Sequence, residues 1–152
     1  MKIGINFYSE TGHTKLACED LAALLKLKGH DVSLHEITVV DKKSDKTLKD
    51  IPLMEGFDVL ILGTPVQGFS LPIPMVDYLK KVKMTKKQKL GILVTQYFKV
   101  SWMGANHTIK QILSGSAYAT PDLYGYGVVH WSSKRREEQL HKVIEKLSHM
   151  DS

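Results

Sequence analysis

Stretches with the periodicity of strands alternate with amphipathic, helix-like stretches along the whole chain. Residues 2–8 have the alternation of a strand, and residues 13–28 have the period of a helix. Gly29 follows that helix where a left-handed cap favours glycine. The inner face of the predicted helix 13–28 is expected to carry Ala17, Leu21, Leu24 and Leu25. A second strand is expected at 32–37.

The middle of the chain is more polar, and a strongly apolar run follows it. The segment 41–56 is polar apart from Leu48, Ile51 and Leu53, and it predicts a short, weak helix. Residues 58–63 form a continuous apolar run bounded by turn residues, as in a strand buried on both faces.

The remaining elements continue the alternation. Pro74 suits the first position of a helix that ends near residue 83, and Leu90 opens a buried strand that ends at Thr95. A third helix ends near Gly115, and a last strand near 123–130 precedes a final helix. The inner faces of these helices are predicted to carry Val76, Leu79, Val82, Ile109, Ile112, Leu113, Leu140, Val143, Ile144 and Leu147.

Five strands alternating with helices predict an α/β protein with a mostly parallel sheet and helices on both faces. At 152 residues, 43% hydrophobic and 24% charged, the chain is expected to form a single domain, residues 1–152, of ordinary globular composition. No apolar run approaches the ~20 residues of a membrane span. The first residues show no signal-peptide pattern, and the single cysteine, Cys18, is typical of a reducing compartment. We therefore expect a cytoplasmic protein, with Cys18 as a small buried apolar residue.

In such sheets, ligands bind beyond the carboxyl ends of the strands, near the point where strand order reverses. That rule selects three loops, 9–14, 64–72 and 95–104. The first, Ser-Glu-Thr-Gly-His-Thr, combines hydroxyls and a glycine with the start of a helix, which together suit a phosphate group. A bare helix cap is the simpler alternative. A Walker A lysine, the three glycines of a dinucleotide fingerprint and the acidic residues of a receiver domain are all missing.

The other two loops have a composition that suits a flat apolar ligand. Residues 63–74 carry no charge, which is unusual for a loop, although folding back onto the domain is an alternative. The third loop places Tyr97, Phe98 and Trp102 close together, and aromatic rings stack well on planar heterocycles. The simpler alternative is that at least one of these rings only caps the edge of the sheet.

The formal net charge is +5, and its main concentration lies at the end of the predicted helix at 74–83 and in the loop that follows it. That lysine run comprises Lys80, Lys81, Lys83, Lys86, Lys87 and Lys89. A solvated surface is the ordinary interpretation and a docking site for an acidic partner is the sharper one; nucleic acid is not expected, since no binding motif accompanies the run. The histidines have no metal-ligand spacing, and no catalytic set of acid, base and nucleophile is evident.

Residues 9–14 resemble the Ser/Thr-x-Thr-Gly-x-Thr phosphate loop of the flavodoxin family, and residues 63–69, Gly-Thr-Pro-Val-Gln-Gly-Phe, resemble its second flavin loop. The resemblance covers the whole chain in the short form of that family. It implies a three-layer flavodoxin-like fold with sheet order 2-1-3-4-5 and noncovalent FMN, with the 67–68 peptide facing the flavin N5. The implied cofactor contacts are Ser9, Glu10, Thr11, Gly12, His13 through its backbone, Thr14, Thr64, Pro65, Val66, Gln67, Gly68, Phe69, Thr95, Gln96, Tyr97, Phe98, Lys99 and Trp102.

An FMN-binding electron-transfer protein is therefore the first functional hypothesis. A small NAD(P)H-dependent FMN or quinone reductase is the second, and a cofactor-free binding module with the same fold is the third. The chain is basic, unlike typical flavodoxins, and Lys99 is the only charge in the two ring-contacting loops. We expect a higher redox potential than in those relatives. Acidic redox partners are expected, such as a ferredoxin-like protein or a reductase, and the chain is expected to be a monomer or weak dimer.

Overall fold

The computed structural model describes residues 1–84, 88–97, 104–116 and 122–149. In these ranges strands and helices alternate along most of the chain. The elements are β1 (Lys2–Phe7), α1 (His13–Leu27), β2 (Asp31–Glu36), β3 (Val39–Asp41), β4 (Asp45–Leu48), β5 (Val59–Pro65), α2 (Ile73–Lys81), β6 (Lys89–Gln96), α3 (Ala105–Gly115), β7 (Asp122–His130) and α4 (Arg136–Ser148).

A five-stranded sheet of order β2-β1-β5-β6-β7 forms the centre, and every neighbouring pair in it is parallel. The strands β3 and β4 pair with each other as a separate antiparallel hairpin. When the five sheet strands alone are numbered along the chain, their order is 2-1-3-4-5. The predicted three-layer α/β fold is therefore confirmed. The chain first moves outward from β1 to β2 and then returns to β5, which places the reversal of strand order between β1 and β5.

The two faces of the sheet carry separate hydrophobic cores. Because side chains alternate along a strand, Ile61 of β5 faces one core while Leu60 and Leu62 face the other. The helices α1 and α4 cover the first face, and α2 and α3 cover the second. Each fully buried Leu or Ile contributes roughly 1.5–3 kcal/mol, so the sheet is held firmly from both sides.

Most predicted inner faces are buried, with differences in α2. Leu140, Val143, Ile144 and Leu147 of α4 are all buried, as predicted. Leu79 of α2 is buried, and Val76 of α2 and Val82 just after it are half-buried against the second core, so all three lie on the predicted inner side. The helix begins at Ile73 and directs Met75 and Tyr78 inward. Half-burial also applies to Leu24 and Leu113, whereas Ala17, Leu21, Leu25, Ile109 and Ile112 are buried.

The predicted helix at 41–56 is wrong, because the β3–β4 hairpin occupies its first half. The Asp41 carboxylate accepts the backbone N–H groups of Lys43 (2.8 Å) and Ser44 (3.1 Å), which closes the turn. Short polar side chains of this kind compete with helical backbone hydrogen bonds. Val39 is buried and Leu48 is half-buried against the second core, so the hairpin is held against the domain.

Cys18 of α1 is fully buried and has no disulfide, as expected, and burial raises the pKa of its thiol. None of the helices among the described residues is both long enough and apolar enough to span a bilayer.

Candidate functional site

The loop between β1 and α1 is closed by the side chain of Ser9. Its buried hydroxyl oxygen accepts the N–H groups of Gly12 (3.1 Å) and Lys15 (3.3 Å). Gly12, at φ 95°, is the N-cap of α1, and this left-handed conformation favours glycine. Because the Ser9 oxygen accepts two hydrogen bonds, its own proton remains available for donation to a ligand.

The first turn of α1 presents further donors at the same place. The N–H groups of His13 and Thr14 have no carbonyl four residues earlier in the helix, as at any helix start. The exposed hydroxyl-bearing side chain of Thr11 lies beside them. Thr14 differs, because its buried hydroxyl lies 2.8 Å from the hydroxyl of Thr95 and links α1 to β6.

A tight turn follows β5 in the second predicted loop. Gln67 and Ser70 exchange two backbone hydrogen bonds, of 2.9 and 3.0 Å. Gly68 and Phe69 between them have φ values of 56° and 63°, the pattern of a type I′ turn. A left-handed conformation costs a residue with a side chain roughly 1–2 kcal/mol, so the loop holds Phe69 in a strained conformation with half of its side chain exposed.

The start of α3 packs directly on that turn. At Gly104, φ is 130° and an added Cβ would lie 2.6 Å from Val66 Cγ1 and 2.8 Å from Phe69 Cα. A second link comes from Val66, whose N–H donates to the Thr95 carbonyl at 3.0 Å. The loops after β5 and β6 are therefore joined by close backbone contacts.

The three predicted loops meet around one cavity at the carboxyl ends of β1, β5 and β6. Its volume is about 260 Å³. It is lined by Glu10, Thr11, His13, Pro65, Val66, Gln67, Thr95, Gln96 and Tyr97. The other described site residues, Ser9, Gly12, Thr14, Thr64, Gly68 and Phe69, belong to the same loops but not to this lining. Phe98, Lys99 and Trp102 lie outside the described residues.

Glu10 connects three parts of the site, and two of its partners were not predicted from the sequence. Its carboxylate accepts a hydrogen bond from the Tyr8 hydroxyl. It also forms an ion pair with Lys46 of β4, in which Lys46 Nζ lies 3.0 Å from Glu10 Oε1. Burial opposes its ionisation, but hydrogen bonds from Tyr8, Lys46 and Gln67 hold the pKa of Glu10 below its usual range. Glu10 therefore joins the first loop to the hairpin and to the second loop.

Trp131, just after β7, was also missed. Its indole stacks on the His13 imidazole, with ring centroids 4.3 Å apart and planes 14° apart. The Arg136 guanidinium carbon lies 5.7 Å from the centre of the indole. Burial, followed by the charge of Arg136, lowers the pKa of His13. The position of Trp131 after a parallel strand was the available signal, since that loop lies at the same edge of the sheet.

The sequence matches no protein-family model, and no curated protein matches it. Solved structures do match along nearly the whole chain. A short-chain flavodoxin associated with a non-canonical PDU bacterial microcompartment is 16% identical, with a TM-score of 0.65 and coverage of 100% of both chains. Flavodoxin 2 from Bacillus cereus is 16% identical, with a TM-score of 0.63 and coverage of 97% of this chain and 98% of its own.

A third similar structure is a flavoprotein from Lactobacillus acidophilus in complex with FMN. It is 15% identical, with a TM-score of 0.59 and coverage of 93% of this chain and 97% of its own. These likenesses, together with the sheet order, define a three-layer α/β protein with the flavodoxin-like fold. The fold implied by the two loop sequences is thus confirmed.

Proposed function

We propose that this chain is an FMN-binding, flavodoxin-like electron-transfer protein. The observation that most supports this proposal is the loop between β1 and α1. There Ser9 and Gly12 fix the start of the helix, whose first N–H groups have no acceptor within the helix. That helix start adjoins a cavity at the strand-order reversal, which is the usual ligand position in such sheets. The FMN bound by the Lactobacillus acidophilus flavoprotein, which shares the fold, supports the same cofactor here.

The residues present fit a phosphate monoester. The N-terminus of the 15-residue helix α1 favours an anion through its free N–H groups and its dipole. The Ser9 and Thr11 hydroxyls add two hydrogen-bond donors, and the described part of the chain contains no cluster of side chains that could hold a metal ion. The nearby Glu10 carboxylate is neutralised by Lys46, so the repulsion of a dianion by Glu10 is reduced.

The rest of the cavity fits one edge of a planar ring system. Pro65 and Val66 supply apolar wall, Gln67 supplies an amide, and Tyr97, 69% exposed, stands at the rim. The cavity volume of about 260 Å³ lies just below the usual range of small-molecule sites, roughly 300–1,000 Å³. FMN, when bound, would accept and release electrons, while these residues bind it, orient it and exclude water.

Cofactor binding is tested by titrating the protein with FMN and following fluorescence quenching and heat. The replacement Thr11→Ala should weaken FMN binding about tenfold, the effect of one lost hydrogen bond to a charged group. Thr47→Ala, an exposed threonine of the hairpin, is the matched control and should leave affinity unchanged. A wild-type protein that neither quenches FMN fluorescence nor releases heat would contradict the proposal.

The carrier role is tested on the FMN-loaded protein. An electron carrier should be reduced by dithionite or by a reductase but only slowly by NADPH alone. Rapid loss of flavin absorbance with NADPH alone would instead support the small reductase.

A further inference from the structure

We infer that Trp131 is a positioning residue. Through His13 it holds the candidate phosphate-binding loop, residues 9–14, in its binding conformation. This inference rests on the proposed FMN function for its consequence, although the contact itself concerns only this chain. His13 is the first residue of α1 and lines the cavity, so its backbone N–H belongs to the donor set. A residue that fixes its side chain also restrains that first turn.

The contact is well suited to such restraint. The His13 and Trp131 rings are nearly parallel, with planes 14° apart and centroids 4.3 Å apart. Trp131 is 9% exposed, so the indole presents a fixed surface to the imidazole. Arg136 flanks the indole, its guanidinium carbon 5.7 Å from the ring centre, and also donates weakly to the Trp131 carbonyl at 3.5 Å.

The backbone of the same segment is fixed to the third loop. The Trp131 N–H donates to the Gln96 carbonyl at 2.6 Å, and the Ser132 N–H donates to the Tyr97 carbonyl at 3.2 Å. Since Gln96 and Tyr97 line the cavity, Trp131 connects the wall of the cavity to the phosphate loop. Its backbone is hydrogen-bonded to the third loop, and its ring contacts the first residue of α1.

Ordering a loop before the ligand arrives lowers the cost of binding. An aromatic stack of this kind changes the equilibrium constant between the ordered and the disordered loop about three- to tenfold. The effect should be confined to the phosphate, because His13 contributes at that end. FMN affinity should therefore depend on Trp131, whereas affinity for riboflavin, which lacks the phosphate, should not.

The first test is amide hydrogen exchange on the cofactor-free full chain. Exchange at the hydrogen-bonded amides of Gly12, Lys15 and Leu16 should become about three- to tenfold faster in His13→Ala and in Trp131→Leu. Trp131→Phe keeps a ring and should retain slow exchange, and His141→Ala, an exposed histidine of α4, is the matched control. Unchanged exchange at these residues in His13→Ala would overturn the inference, even if Trp131→Leu fails to fold.

The second test compares the affinities of the same variants for FMN and riboflavin. We expect Trp131→Leu to weaken FMN binding about tenfold and riboflavin binding less than about twofold, with Trp131→Phe close to wild type. The double variant His13→Ala, Trp131→Leu should be no weaker than the worse single variant, because both remove one contact. Equal losses for both ligands would show a general structural role and overturn the inference. A wild-type protein that does not bind FMN contradicts the proposed function instead, and hydrogen exchange then decides on Trp131.

Discussion

Gly63 lies where α1 crosses β5, and it leaves no room for a side chain. An added Cβ would lie 2.6 Å from Cys18 Sγ and 3.0 Å from Phe7 Cβ. Both neighbours are buried, so neither can move into solvent. This close approach brings the start of α1 down onto the sheet beside the candidate site.

Replacing Gly63 with alanine should therefore lower the free energy of unfolding by about 1–3 kcal/mol, the usual cost of overpacking. Adding Cys18→Ala should restore part of that loss, because it removes the nearest sulfur. Urea unfolding measures both effects. Gly115→Ala is the control, since its Cβ would meet Leu79 at 3.5 Å, an ordinary contact distance. An unchanged stability in Gly63→Ala would contradict the packing argument.

His13 gives a pH dependence whose direction follows from its environment. Burial and the nearby charge of Arg136 lower its pKa in the folded state below the ordinary 6.5. The unfolded chain therefore binds a proton more readily, and the associated stability is present above pH 6.5 and decreases as the pH falls through the lowered pKa.

Thermal unfolding between pH 7.5 and about 5 should show a smaller loss of stability in His13→Asn than in the wild type. The replacement has no titrating group, so that part of the pH dependence is removed. His141→Asn, on the exposed side of α4, should keep the wild-type slope. Identical slopes in His13→Asn and wild type would mean that the pKa of His13 is not lowered.

The residues of the candidate site could be predicted where sequence and topology coincide. Ser9 and Gly12 precede a helix at the end of a strand, which locates the candidate phosphate-binding loop. The predicted Thr14 lies in the same loop, yet its hydroxyl contacts Thr95, a partner eighty-one positions away in the chain. Trp131 shows the same difficulty, because its stack on His13 depends on how α4 and α1 share one face of the sheet.

Among the elements, the hairpin is the part that sequence periodicity did not predict. Its strands are short, Val39–Asp41 and Asp45–Leu48, and too few residues alternate to show a period. Its turn is held by the Asp41 side chain. Its docking depends on Val39 and Leu48, which pack against a core formed by residues far away in the chain. The interior strands β1, β5 and β6 were predictable because their burial leaves apolar runs. The partly buried edge strand β2 was predictable only from the alternation of Val32 and Leu34 with polar residues.

Lys46 connects that hairpin to the site through Glu10. Lys46→Met should raise the pKa of Glu10 toward its usual range, since an ion pair and a hydrogen bond are lost. The stability change should stay below about 1 kcal/mol, as for other partly exposed ion pairs. Carboxyl NMR titration measures the pKa. Lys42→Met, at the exposed hairpin turn, is the control, and an unchanged pKa of Glu10 in Lys46→Met would rule out the connection.

For the whole molecule, the net charge of +5 favours acidic partners if the chain carries electrons. Part of the lysine run, Lys86 and Lys87, lies outside the described residues, while Lys83 donates to the Gly115 carbonyl at 2.6 Å. Opposite charges speed association over distances of about one Debye length, ~10 Å at 0.1 M salt.

Electron transfer to an acidic ferredoxin-like protein should therefore slow markedly as ionic strength rises, because salt screens that attraction. Stopped-flow measurements with the FMN-loaded protein at increasing salt would give the slope. The charge-reversing pair Lys80→Glu, Lys81→Glu should flatten it. A rate that does not change with salt would exclude electrostatic docking.

The position of β1 has a consequence for synthesis on the ribosome. This first strand is an interior strand, with β2 on one side and β5 on the other. When only the segment up to β2 has emerged, Ile3, Ile5 and Phe7 have one neighbouring strand and an open edge. That edge closes only after Val59–Pro65 has left the exit tunnel. During this interval the unpaired edge of β1 and its apolar side chains remain uncovered, which makes this stage of synthesis a point for chaperone capture.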